Sequence, residues 1–364
     1  MSFLSLVLLS AALAQGPSPE QLYNEGVRLA ESGDFAGAIA KYEELLRLRP
    51  DVVEARSNLG VALARLGRYQ EAVANYRLAL ERDPGNATVR LNLALALYKQ
   101  AEFAQAAAQL EKLPKGGRVS YLLADCYLRL GRNKDVIALL TPGDPAADYL
   151  LGIALIRDGQ IERGQAVIDR ILARGDSAEA NLLLGAAQLS AGEKQKALEG
   201  IRKAIGLNPN LPGIWSLYGR AQAENDDHEG AKASFRKALE ADPNDFDANL
   251  RLGVLLRRDN DLEGAAACIE RAVRLRPADL AARFQMGSLN AARGKLEEAR
   301  KDLEAVALEA PDFQEVHVQL AALYYRLNRK EDGRREREIV LKLDEKERRR
   351  KEDASKKAVS SPLP

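Results

Sequence analysis

The sequence predicts an all-α fold, a stack of about ten repeated helix–turn–helix units, because three residue classes recur at one interval. Pro50 and Pro84 lie 34 residues apart, and Pro209, Pro243, Pro277 and Pro311 each step by 34. The small residues Gly26, Gly60 and Ala94 keep that step, as do Gly185, Gly219, Gly253, Gly287 and Ala321. So do Ala38, Ala72 and Ala106, then Ala197, Ala231, Ala265 and Ala299. Chance does not bring three classes into one register. A period of this length marks units that bury their apolar faces only by stacking on their neighbours.

Composition agrees with such a stack. The 364 residues are 46% hydrophobic, 5% aromatic and 29% charged, with a formal net charge of +1. That balance supplies no global attraction to nucleic acid or to an anionic membrane. The apolar share is ample for a packed interior.

The chain opens on Phe3 to Leu13, an apolar run followed by Ala12-Leu13-Ala14. A short apolar core and small residues at both outer places fit a signal peptide, with residues 1–14 removed and 15–18 a short linker. The run is too short to span a bilayer. No Lys or Arg precedes it, so an uncleaved N-terminal anchor stays open beside export to the periplasm or the extracellular space. No later segment reads as a membrane span.

The solenoid is expected over 19–343. Its units are 19–52, 53–86, 87–116, 117–144, 145–177, 178–211, 212–245, 246–279, 280–313 and 314–343. Gly or Ala stands in the first helix of each regular unit, where a larger side chain would push crossing helices apart. Leu and aromatic residues three and four apart make the buried stripe. Gly33, Gly67, Gly131, Gly159, Gly192, Asn260 and Gly294 stand between the helices, where a left-handed residue ends the first one. Asp83-Pro84, Asn208-Pro209 and Asp242-Pro243 close the second helix. The third to fifth units break the spacing. Pro114-Lys115-Gly116-Gly117 ends one early, and Pro142-Gly143-Asp144-Pro145 truncates the next. Shortened second helices are expected there, and a hinge between two halves remains open.

The tail changes character. Residues 329–357 hold 13 Lys and Arg against 9 Asp and Glu. The first part suits a polar-faced capping helix. Residues 344–364 read as a charged tail, disordered after Ala354.

Residues 53–86 carry Leu59-Gly60, Leu63, Gly67, Tyr69, Ala72, Tyr76, Ala79 and Pro84, and residues 212–245 carry Trp215, Tyr218-Gly219, Ala231, Phe235, Ala238 and Pro243. On these motifs the sequence resembles the tetratricopeptide repeat family over about 19–343. The resemblance implies a right-handed superhelical solenoid and a protein that binds other proteins in a concave groove lined by its first helices.

Candidate chemistry is sparse. Cys126 and Cys268 are too few for a disulfide framework and lie about four repeats apart, so both read as small buried hydrophobes. His228 sits in the acidic turn Asn225 to Glu229, where neighbouring side chains diverge, and reads as solvated. His317 takes a packing position. No phosphate loop, nucleophile elbow or metal-binding pair of histidines is present. The chain therefore reads as a non-enzyme, with no cofactor, no metal and no small-molecule substrate.

The resemblance places Asn24, Asn58 and Asn92 on the groove side of the first helices. A column of amides can donate to and accept from an extended peptide backbone. Some relatives clamp a terminal carboxylate with lysines, an arginine and asparagines. Asn58 keeps one such place, but Tyr23, Thr88, Val27 and Asn92 stand at the others, which argues against that ligand. Further along, Leu122, Leu150, Leu183 and Leu217 follow, then Arg220, Arg251, Arg257 and Arg258, with Phe284 and Gln285 one unit on. Clustered guanidiniums can take carboxylates in forked pairs. Glu224, Asp247 and Asp259 stand close enough in sequence to neutralise them, so a binding role and a structural one are both open. The leading function is an exported or envelope scaffold that binds peptide segments or subunits. A nucleic-acid-binding repeat, disfavoured by the few aromatics, and a regulatory arm of an enzyme are the alternatives.

Overall fold

The computed structural model describes residues 16–360, so the N-terminal run read as a signal peptide lies outside the described residues. Twenty helices and no strand occur among the described residues. The chain divides into two compact units between Leu150 and Leu151.

The first unit contains α1 (Pro19–Glu31), α2 (Phe35–Leu48), α3 (Val53–Arg65), α4 (Tyr69–Arg82), α5 (Ala87–Lys99), α6 (Phe103–Leu110), α7 (Gly117–Arg129), α8 (Asn133–Leu139) and the start of α9 (Pro145–Arg157). The second contains the rest of α9, then α10 (Ile161–Leu172), α11 (Ala178–Ser190), α12 (Lys194–Leu207), α13 (Ile214–Glu224) and α14 (His228–Ala241). It continues through α15 (Phe246–Arg258), α16 (Leu262–Leu275), α17 (Leu280–Ala292), α18 (Leu296–Glu309), α19 (Gln314–Arg326) and α20 (Lys330–Ser360). From α1 to α8 and from α11 to α20 the helices alternate, an odd-numbered first helix packing on its even-numbered partner and the partner on the next first helix.

Local chemistry sets the helix ends. Ser18 opens α1 with a reciprocal cap: the Gln21 N–H donates to Ser18 Oγ at 3.2 Å, and the Ser18 N–H donates to Gln21 Oε1 at 2.8 Å. Asp34, Asn86, Asp245 and Asp279 accept from backbone N–H groups in the same manner. These bonds satisfy donors that a helix start leaves orphaned. The turn between paired helices needs one residue with positive φ. Gly67 supplies it at 74°, without a Cβ to clash. In the third and seventh pairs the role falls to Ala101 and Asp226, at 61° and 65°, where neither glycine nor asparagine marks the turn.

The small residue of each first helix makes room for one large side chain of the second, sixteen positions later. A Cβ on Gly60 would lie 2.6 Å from the Tyr76 ring, and one on Gly219 would lie 2.8 Å from Phe235. The same close approach joins Gly26 to Tyr42, Gly185 to Ile201, Gly253 to Ile269 and Gly287 to Leu303. Tyr42, Tyr76 and Phe235 are fully buried. Burial of this size stabilises each pair by roughly 1.5–3 kcal/mol per large side chain.

The irregular stretch has short second helices, α6 with 8 residues and α8 with 7, against 14 in α2 and α4. Pro114 and the paired glycines stop the first; Pro142 and Gly143 stop the second. Cys126 is buried, and burial pushes its thiol up to about 12, so it packs as a hydrophobe. Cys268 is only half-buried. His228 is the first residue of α14 and is half-buried rather than solvated. His317 is buried between Glu336 Oε2 at 2.6 Å from Nδ1 and the Pro311 carbonyl at 3.0 Å from Nε2, which ties α20 to the preceding pair.

α20 stays helical through Ser360. Opposite charges at helical spacing accompany it: Arg334 with Glu331, Arg349 with Glu345, and Arg348 with Glu352. Such pairs each favour helix by a few tenths of a kcal/mol. No described helix is long and apolar enough to cross a membrane.

Candidate functional site

The first helices of consecutive pairs touch one another in each unit: α1 with α3 and α3 with α5 in the first, and α11, α13, α15, α17 and α19 in turn in the second. Their second helices are spaced further apart. The first helices therefore form the inner face of each stack.

In the first unit the three asparagines stand on α1, α3 and α5. Asn24 is exposed, and Asn58 and Asn92 are half-buried. The Asn58 Nδ2 donates to the Tyr23 hydroxyl at 3.3 Å. Part of its hydrogen-bonding capacity is thus spent on the contact between the first two repeats.

In the second unit one column runs through Leu183, Leu217, Arg251 and Gln285, again at steps of 34. Leu183 is fully buried under the place where Gly152 lacks a Cβ, and Leu150 in the first unit is buried too. Neither is available to a ligand; Leu122 and Leu217 are half-buried. Phe284 corrects the expected site as well. It is only 8% exposed and packs on Phe313 at 5.0 Å between ring centroids, in a core cluster with Leu320 and Leu323. It precedes the column residue by one position, which turns it about 100° around the helix and into the interior.

The arginines divide by environment. The Arg220 Nε meets Glu224 Oε1 at 2.7 Å within α13. The Arg257 Nη2 donates to Gln285 Oε1 at 3.1 Å, which joins α15 to α17, while its Nε is buried without a partner among the described residues. Burial pulls the Arg257 guanidinium below its ordinary pKa. Arg258 is half-exposed, 3.8 Å from Asp259. Asp259 is otherwise engaged by Lys232. Arg251 is half-buried and makes no hydrogen bond or close ion pair among the described residues. Burial lowers its pKa, and Arg220 and Arg157 add to that against the opposing pull of Asp247 and Glu224.

Two further arginines, absent from the sequence-based site, belong to this group. The Arg157 Nη2 at the end of α9 meets Asp247 Oδ2 at the start of α15 at 2.9 Å. The Arg276 guanidinium lies 4.0 Å from the centre of the Phe246 ring. Burial works to raise the pKa of Asp247, but Arg157, Arg276, Arg251 and Arg220 outweigh it and hold the carboxyl below its ordinary value. Asp245 moves the other way: burial and the neighbouring Asp247 push it up, while it caps α15 through the Ala248 N–H. Four arginines, Arg157, Arg220, Arg251 and Arg276, thus act on the single carboxylate of Asp247. No group of three or more potential metal ligands occurs among the described residues.

A profile described as tetratricopeptide repeat matches residues 23–87, 149–212, 218–280 and 256–315. A second profile of the same description matches residues 63–118. Among solved structures, the crystal structure of the yeast Tom70 is similar over 90% of this chain and 76% of that one, with 18% identity and a TM-score of 0.40. No curated protein matches the sequence.

Proposed function

The chain belongs to the tetratricopeptide repeat family, and from that premise we propose that it is a non-catalytic scaffold whose second unit binds acidic segments of partner proteins. The repeat is a protein-interaction module. What selects an acidic partner is the inner face of the second unit, where the half-buried Arg251 has no direct partner among the described residues. Forked pairing with a carboxylate would satisfy it. The amides of Asn24, Asn58 and Asn92 in the first unit are suited to a main chain and do not by themselves choose a sequence.

The test is a titration of the full chain with fluorescent decaglutamate amidated at its C-terminus, beside decaserine and decalysine. Decaglutamate should bind and the other two should not. Affinity should fall steeply between 50 and 300 mM salt, because charge–charge attraction at a partly exposed face is screened over a Debye length of about 8 Å near physiological ionic strength. Equal binding of all three peptides, or no binding of decaglutamate at low salt, would refute the reading.

An exported or envelope setting is the companion proposal. It rests on the apolar run at 3–13 and the Ala12-Leu13-Ala14 that follows. The intact mass of the native protein reads it directly: loss of residues 1–14 is expected, and an intact N-terminus contradicts cleavage.

A further inference from the structure

We propose that Asp247 is an internal occupant of the acidic-ligand site, so that a carboxylate of the partner binds by replacing Asp247 on Arg157 and taking up the neighbouring Arg251. The inference deepens the reading of the second unit as a site for acidic segments and rests on it.

The Arg157–Asp247 pair is the observation that carries it. In a repeat stack each pair of helices needs only its immediate neighbours to complete its core. The ladder of small and large residues sixteen apart accounts for that packing without any contact of longer range. Arg157 and Asp247 are 90 residues apart, on α9 and α15, the first helices of the fifth and eighth pairs. Their 2.9 Å contact joins α9 to α15 within the second unit and contributes nothing to the stacking ladder. Both side chains are partly exposed, 43% for Arg157 and 38% for Asp247, so solvent and solute reach them.

The charges around the pair are unequal. Arg157, Arg220, Arg251 and Arg276 all act on Asp247. Glu224 is taken by Arg220 at 2.7 Å, and Asp245 accepts from the Ala248 N–H of its own helix and from the Ser216 hydroxyl. Arg276 is laid on the Phe246 ring. Asp247 is the carboxylate that acts most on Arg251, yet among the described residues its direct bond is to Arg157. Asp247 and Arg251 are four residues apart, on one side of α15. A ligand carboxylate that takes the place of Asp247 meets the Arg157 donor that Asp247 uses and, beside it, the unbonded Arg251. It can take two N–H groups from Arg251, which Asp247 does not do. A side chain that holds a site in its own charge state lowers the affinity of any ligand that must displace it.

The experiment compares Asp247→Asn and Asp247→Ser with the parent chain in the decaglutamate titration, each checked for parental helix content by circular dichroism. Removing the internal carboxylate should tighten decaglutamate binding by roughly tenfold and leave decaserine unbound. Two variants are used so that a folding defect in one does not decide the outcome. If the parent binds decaglutamate but neither folded variant binds it more tightly, Asp247 is a structural brace and the inference is overturned, while the acidic-segment reading stands. If decaserine binding rises equally, the gain is not one of carboxylate exchange and the inference is overturned as well. If the parent does not bind decaglutamate, the underlying reading has failed and this one falls with it.

Discussion

Replacing Phe235 with alanine should destabilise the second unit by about 3–5 kcal/mol, the range for deleting a fully buried aromatic ring. Phe235 is 0% exposed and fills the space that Gly219 leaves on the first helix of its pair. It also packs in a cluster with Leu252, Leu255, Leu256 and Ile269 of the following pair. The cavity would therefore open at the contact between two repeats, and the loss should spread along the stack. Backbone atoms of α13 and α14 already lie close around Gly219, with the Ala231 carbonyl 3.1 Å from where a Cβ would stand, so collapse into the void is restricted. Urea denaturation followed by circular dichroism measures the effect. Leu308→Ala is the control: that side chain is 84% exposed, and its loss should change stability by less than about 0.5 kcal/mol. A Phe235→Ala chain as stable as the control would mean that the small-to-large slot is not what holds a pair together.

The features legible in the sequence are those the repeat imposes locally. The 34-residue step placed the small residues, and the close approach of Gly60 to Tyr76 and of Gly219 to Phe235 is the physical reason for them. Family membership follows from the same positions. The halt at Pro114 was also readable, because proline and paired glycine end a helix whatever surrounds them. Ala101 and Asp226 were missed as turn residues, since neither is a preferred left-handed residue to the degree that glycine is.

The site was harder to read. Arg251 and Gln285 lie in the asparagine column because the column keeps the repeat, but Phe284 sits one residue off it and turns inward. Arg157 could not have been found by spacing. Its approach to Asp247 depends on how successive pairs are rotated in the second unit, a quantity set by many side-chain volumes at once. Local composition therefore reported the arginines of α15 and left out the one that reaches them from three repeats away. The acidic neighbours are engaged by other cations: Glu224 pairs with Arg220, Asp247 with Arg157, and Asp259 chiefly with Lys232, so Arg251 retains donors.

Charge reversal at Arg251 and Arg258 should produce the second large effect. The two residues are seven apart on α15 and share its inner side. Arg251 is half-buried and Arg258 half-exposed, so the first should contribute most, in surroundings where water screens less. Losing one buried charged partner of a ligand costs about 2–5 kcal/mol, and a rim charge much less. Reversal also sets each glutamate against the incoming acidic side chains. Arg251→Glu would meet Asp247 one turn away, so some local destabilisation is expected, and helix content must be checked before affinity is compared.

The measurement that bears most directly on the account is the decaglutamate affinity of the folded Arg251→Glu/Arg258→Glu chain relative to the parent at one fixed salt concentration. We expect the dissociation constant to rise at least thirtyfold, equivalent to roughly 2 kcal/mol, with helix content unchanged. An affinity within about twofold of the parent would contradict the assignment of the inner face of the second unit as the site where an acidic partner is held.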